Sequence, residues 1–457
     1  MLVMNRLLCA VVLVAGCANH AKQSVALYDS GDYAGAARAA DEGLAKHPDD
    51  DALWQMRVRA ALAQGDAAGV AKAYASYRGH RGGDDKELLQ DLAVATLGQA
   101  LASPSVKLQV GAIQAIEAAE IQSLADQVGE HLGANDDRVA ATAAIAVLRG
   151  FPQAPQVAED LLKSEDPEAR RIVIDGLGRK VGKLAAADLE KAANDPDPRV
   201  RGVAIRWLGQ IKDADAVALL ARRMRDPDES VRAAAASALA RIGIGNLEPL
   251  GRRALGDHQL AVRLAGVELL VAAKRTDGLT ALAESDPDPM VAAQAAIAIE
   301  RPDLAAKALD RALAAESWTI RAGAANVAVR ALGRDRGREL AQRLVADKEL
   351  GVRLAAARVL AHAGAQAAAA QIFVEALASP DVALQAAAEL ADQHDPRGVA
   401  ALDGAVRDLG KTPDQRAAAA SAHRGAHLVT PGLVAALADP SGLVRVEAAA
   451  ALVMLAK

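Results

Sequence analysis

The amino-acid sequence predicts an all-α protein, a solenoid of antiparallel helix pairs, and three observations carry that prediction. Hydrophobic residues make up 52% of the 457 residues but aromatics only 2%, so the apolar surface is mostly Ala, Leu and Val, small enough for close helix packing. A Val-Arg step recurs at Val200-Arg201, Val231-Arg232 and Val262-Arg263, 31 residues apart. Within one such unit, VRAAAASALARIG, the residues Val231, Ala235, Ala238, Leu239 and Ile242 fall on a single helical stripe, and Gly243 supplies a C-terminal stop. Stacked pairs of this kind bury a continuous core without any one unit being stable alone.

The first element, residues 1–16, reads as an export signal. MLVMNRLLCAVVLVAGCAN has one basic residue, Arg6, and then an apolar run from Leu7 to Ala15 that is too short to span a bilayer as a permanent helix. The segment Leu13-Val14-Ala15-Gly16-Cys17 resembles the lipobox of bacterial lipoproteins. That resemblance implies cleavage before Cys17, acylation of Cys17 and a lipid-anchored tether over 17–23; each buried CH2 of the acyl chains contributes about 0.8 kcal/mol to membrane attachment. In that family an Asp after the cysteine often retains the protein in the inner membrane. Ala18 stands there instead, which implies the outer membrane, facing the periplasm. Cys9 lies inside the leader, so no cysteine remains for a disulfide, a thiol nucleophile or a thiolate metal site.

The second element, 24–83, has its own period. GDYAGAARAADEGLAKHPDD begins at Gly31 and GDAAGVAKAYASY at Gly65, 34 residues later. Each Gly-Asp marks a turn between antiparallel helices, with Gly tolerating positive φ and Asp capping the next helix. With Tyr33, Ala36, Pro48 and Trp54 in register, the segment resembles tetratricopeptide repeats, one complete and one degenerate copy. Five of the nine aromatics, Tyr28, Tyr33, Trp54, Tyr74 and Tyr77, fall here. The Gly-rich polar run Arg78 to Asp85 is the expected linker.

From residue 86 to 457 the shorter period takes over in about twelve units. An acid stands six positions before the arginine in five of them: Asp195 with Arg201, Asp226 with Arg232, Asp257 with Arg263, Asp347 with Arg353, and Asp439 with Arg445. Five copies are more than one active site needs, so the pairs read as structure. Asp before Pro is a natural helix-start residue, Pro196, Pro227 and Pro440 suit the turn or the first helical position, and arginine's planar fork suits carbonyls or a carboxylate across a repeat junction. The pattern resembles the HEAT repeat family, in its short form related to phycobilin lyase repeats. The resemblance implies a right-handed α-α superhelix of the armadillo/HEAT type, in which the matching Asp and Arg link neighbouring units in a ladder.

Searching for chemistry yields little. There is no HExxH motif, Walker loop, Gly-x-Ser-x-Gly elbow or dinucleotide fingerprint. Deoxyhypusine hydroxylase, which shares the fold the resemblance implies, uses His-Glu dipeptides; this sequence contains none. His423 and His427 stand four apart, the spacing of a two-histidine metal site, but with no further ligands nearby they read as solvated or capping. Arg222, Arg223 and Arg225, with Arg252 and Arg253 about one repeat on, read as a solvated face neutralised by Asp226, Asp228 and Glu229. Trp207 and Trp318 read as core, with peptide anchoring as the alternative. A net charge of −5 gives no reason to expect nucleic acid.

The expectation is therefore a non-catalytic, lipid-anchored scaffold that binds envelope proteins, with no catalytic residues, metal, cofactor or small-molecule substrate. The rivals are an enzyme or accessory subunit of the phycobilin-lyase type that binds a cofactor, and a structural spacer between envelope layers.

Overall fold

A computed structural model describes residues 20–457, and all regular secondary structure among them is helical. The leader, Cys17 and part of the tether lie outside the described residues. No described helix is long and apolar enough to cross a membrane. The described residues form two compact units: Gly129–Ala376 is one, and 20–128 with Leu377–Lys457 make the other. This grouping departs from the division at residues 83–86 expected from the change of period.

The contiguous unit is an α-solenoid in which each second helix packs on the second helix of the next repeat, with shorter first helices covering one side. The helix Glu229–Ile242 shows why. Asp228 caps it by accepting from the Ser230 and Val231 N–H groups, and Gly243, at φ +74°, closes it. Val231, Ala235, Ala238 and Leu239 are buried, as the stripe predicts, and Ala236 joins them. Ile242 sits half-buried at the edge of the same core. That core runs without interruption from Ile174 to Leu269.

The expected helix starts need correction by two residues. The N-caps are Asp197 and Asp228, and the helices begin at Pro198 and Glu229. Pro196, Pro227 and Pro440 lie in the preceding turns. Asp195 and Asp226 instead accept from the N–H groups of Asp197 and Asp228, which frees their remaining lone pairs for a neighbouring repeat.

The other unit begins with two helical hairpins, 20–29 with Tyr33–Leu44 and Asp51–Ala63 with Ala67–Arg81. Gly31 and Gly65 occupy the turns at φ +84° and +69°, and Asp32 and Asp66 cap the following helices through the N–H groups of Gly35 and Gly69. Trp54 donates its indole N–H to the Pro48 carbonyl at 2.7 Å and stacks near Tyr77 and His80.

The run Arg78 to Asp85 is not a free linker. The helix continues to Arg81, and the connection is pinned by Tyr74 to Asp84 at 2.7 Å, Tyr77 to Asp85 at 2.6 Å and Arg78 to the Val429 carbonyl at 3.2 Å. The tyrosines supply the buried donors that this polar stretch lacks partners for in sequence.

The last helix, Gly442–Leu455, packs on Lys86–Leu101 and Val106–Ala119 as well as on its own neighbour Pro413–Gly425. Leu108 lies against Gly442, Val446 lies 3.2 Å from where a side chain would start at Gly111, and Lys107 reaches Asp414 at 3.2 Å. Eight of its residues are buried, from Val444 through Val453. A helix apolar nearly all round must be covered on more than one side, and here the helices Lys86–Leu101 and Val106–Ala119 supply that cover.

Candidate interaction surface

The arginines of the repeated pairs do two jobs. Within its own repeat, each donates from Nη1 to the main-chain carbonyl six residues back. Arg232 bonds Asp226 O at 3.0 Å, Arg201 bonds Asp195 O at 2.8 Å, and Arg263 bonds Asp257 O at 3.2 Å. Arg353 and Arg445 likewise bond Asp347 O at 2.8 Å and Asp439 O at 2.7 Å. The six-residue pairs are thus arginine–carbonyl contacts that satisfy the turn.

The carboxylate partner belongs to the next repeat. Arg201 bonds Asp226 at 2.7 Å, and Arg232 grips Asp257 at 2.8 and 3.0 Å. Arg263 bonds Asp288 at 2.7 Å and Arg353 bonds Glu375. Three further rungs have no acid six residues before the arginine: Arg170 with Asp195, Arg321 with Asp347, and Arg416 with Asp439. The sequence signal that finds them is an acid 23 to 26 residues after the arginine.

Burial makes these rungs different from surface pairs. Asp226 is fully buried and Arg201 is 9% exposed; Arg416 and Asp439 are each 5% exposed. Hydrogen bonding from Arg232 holds the Asp257 carboxyl below the usual range, and Arg321 does the same for Asp347. The ladder lapses at Ala292. There the carbonyl of Asp286, six residues back, is met at 2.8 Å by Arg311 from the following first helix.

The histidine pair is divided by its surroundings. His423 is fully buried rather than solvated, with Nδ1 at 2.8 Å from the Ala419 carbonyl and Nε2 at 3.0 Å from Thr430 Oγ1. Desolvation pushes its pKa down. The Ala419 carbonyl can only accept, so Nδ1 carries the proton, and in the neutral ring Nε2 accepts from the Thr430 hydroxyl, whose oxygen also accepts from the Leu433 N–H. His427 is exposed, at φ +50°. No group of three or more His, Cys, Asp or Glu among the described residues is placed to hold a metal ion.

Of the basic ridge, only Arg223 reaches Asp226, at 3.3 Å, and Asp228 is engaged as a cap. Arg222, Arg225 and Arg253 are exposed and, among the described residues, make no direct ion pair with Asp226, Asp228 or Glu229, the acids expected to neutralise them. Trp318 is 50% exposed, not core.

A groove of about 930 Å³ runs across the second helices Pro167–Lys180, Pro198–Gln210 and Glu229–Ile242, reaching Ala261. Gly202, Ala233 and Ala234 keep its floor low, and arginines line its walls. Trp207 stands half-buried within it. Its indole N–H donates to Asp175 at 3.0 Å, and its ring occupies the space that a side chain at Gly178 would fill.

Residues 154–240, 186–271 and 222–300 each match the HEAT repeat family. This stretch carries HEAT repeats. Among solved structures, the chain is similar to the CpcE–CpcF complex of phycocyanin lyase from Nostoc sp., with 22% identity over 49% of this chain and 94% of that one, at a TM-score of 0.32. It is also similar to human deoxyhypusine hydroxylase in complex with glycerol, with 22% identity over 67% and 99% of the two chains and a TM-score of 0.27. A structure of Kap95p with RanGDP matches at 14% identity over 81% and 60%, with a TM-score of 0.33. No curated protein matches the chain.

Proposed function

We propose that this protein is a lipoprotein, held at the outer membrane through Cys17, whose repeats act as a non-catalytic scaffold for another envelope protein. The observation that carries the scaffold reading is the division of labour among the repeats. The recurring Arg and Asp side chains are consumed in joining one HEAT repeat to the next, while the second helices keep a continuous face of small and charged residues uncovered. Extended faces of this kind are what helix-pair arrays offer to polypeptide partners. The N-terminal hairpins, tetratricopeptide-like in their 34-residue spacing and Gly-Asp turns, add a second such surface. A tagged copy isolated from solubilised envelope is expected to retain a reproducible partner that an untagged control lacks; failure to do so contradicts the reading. Palmitate labelling lost in Cys17→Ser supports the anchor, and labelling that persists in that variant refutes it.

A further inference from the structure

The walls of the groove across residues 171–261 are unequal in charge. Arg171 is held by Glu168 at 2.6 and 2.9 Å, and Arg199 by Asp197 at 3.0 Å. Arg206 makes no hydrogen bond or ion pair among the described residues, and Arg241 bonds only the neutral amide of Gln210, at 3.2 Å. Asp175 accepts from the Trp207 indole and Glu268 from the Ser237 hydroxyl, and neither is bonded to Arg206 or Arg241 among the described residues. Two exposed guanidinium groups on adjacent second helices therefore face the groove with no carboxylate of their own. Beside them stands Trp207, the one aromatic side chain lining it.

We propose that this groove holds an extended acidic segment of a protein partner, with Trp207 as its apolar anchor and Arg206 and Arg241 pairing its carboxylates. The proposal rests on the scaffold reading and narrows it to one surface and one partner chemistry. Four successive second helices at about 10 Å spacing span about 30 Å, the reach of about nine extended residues. The low floor admits a main chain, and arginine's planar fork favours carboxylates. Nucleic acid fits less well, because the groove offers one aromatic residue rather than a row of stacking platforms and the chain as a whole carries a net charge of −5.

The test is fluorescence anisotropy on the full chain with a labelled nine-residue peptide alternating Glu and Leu, beside its Gln-for-Glu counterpart and a single-stranded oligonucleotide of equal charge. The Glu peptide is expected to bind saturably, more weakly as salt rises, and at least about tenfold more weakly to R206E/R241E. Those side chains are exposed, so the variant's thermal transition should match the wild type. R222E/R253E, on the first helices, should leave binding unchanged. The proposal is overturned if the Glu peptide binds no better than the Gln peptide, if R206E/R241E leaves its affinity unchanged, if R222E/R253E weakens it as much, or if the oligonucleotide binds as tightly.

Used as bait in the envelope experiment, R206E/R241E separates the two readings. Loss of the wild-type partner supports the groove. Retention of that partner overturns the groove and leaves the scaffold standing, whereas no partner for either bait overturns the scaffold reading itself.

Discussion

The two compact units are built from the same kind of helix pair but closed by different means. The contiguous unit, Gly129–Ala376, is stitched from one repeat to the next by arginine–carboxylate rungs, largely buried from Arg170–Asp195 to Arg321–Asp347, with a lapse at Ala292 and a more exposed rung at Arg353–Glu375. The other unit joins two segments distant in sequence, and its joint is apolar, the helix Gly442–Leu455 buried against Lys86–Leu101 and Val106–Ala119. Its single strong rung is Arg416–Asp439. The contrast teaches that polar rungs fix the register of a stack growing along the sequence, while a joint between distant segments is secured by burying a helix that is apolar on several sides.

The largest expected effect comes from deleting residues 442–457. The first and last repeats lose their shared helix, so the unit they form should lose its cooperative thermal transition. The contiguous unit, which uses none of those residues, should keep its own, and calorimetry on the truncated chain reads the two separately.

Next is Asp226→Ala. It strands the buried Arg201 guanidinium and removes the acceptor for Arg223 and for the Asp228 N–H. Removing one partner of a buried pair costs about 3–5 kcal/mol, readable as a lower denaturation midpoint confined to the contiguous unit.

Acid should affect the two units in different windows. His423 titrates below the ordinary 6.5 in the folded chain, so the unfolded chain binds the proton more readily. Its contribution is present above about pH 6.5 and is lost as pH falls below it. Asp257 and Asp347 titrate below the ordinary 3.8, so their contribution persists until pH falls below about 3.8 and is then lost. Denaturation midpoints followed from pH 8 to 3 should show the end-joining unit weakening first. His423→Gln should remove the upper step.

The smallest effect is Arg311→Ala, which uncovers the Asp286 carbonyl at the lapsed rung. A single exposed charged hydrogen bond gives about 1 kcal/mol, well short of the loss at Asp226.

Much of this architecture was legible in the sequence. Val231, Ala235, Ala238 and Leu239 proclaim a helix stripe, and the repetition of Val-Arg sets the register. The destination of each arginine was half legible. The acid six residues back supplies only its carbonyl; the carboxylate lies one repeat on, at a distance along the chain that varies with loop length, so Arg170, Arg321 and Arg416 escaped the six-residue pattern.

The burial of Tyr77 on Asp85 made a connection out of what reads as a linker. The union of residues 86–119 with 442–455 was hidden because helix periodicity names an apolar face without naming what covers it, although GLVRVEAAAALVML is apolar on too many sides for one neighbour. The groove was hidden for a related reason: which arginines stay unpaired depends on contacts between helices.

The central claim, that the repeated Arg and Asp side chains are joints between HEAT repeats, is tested most directly by a double-mutant cycle on Arg201→Met and Asp226→Asn in chemical denaturation. A shared buried rung predicts a coupling of about 1–3 kcal/mol between two residues 25 positions apart. Additivity to within about 0.5 kcal/mol would contradict it.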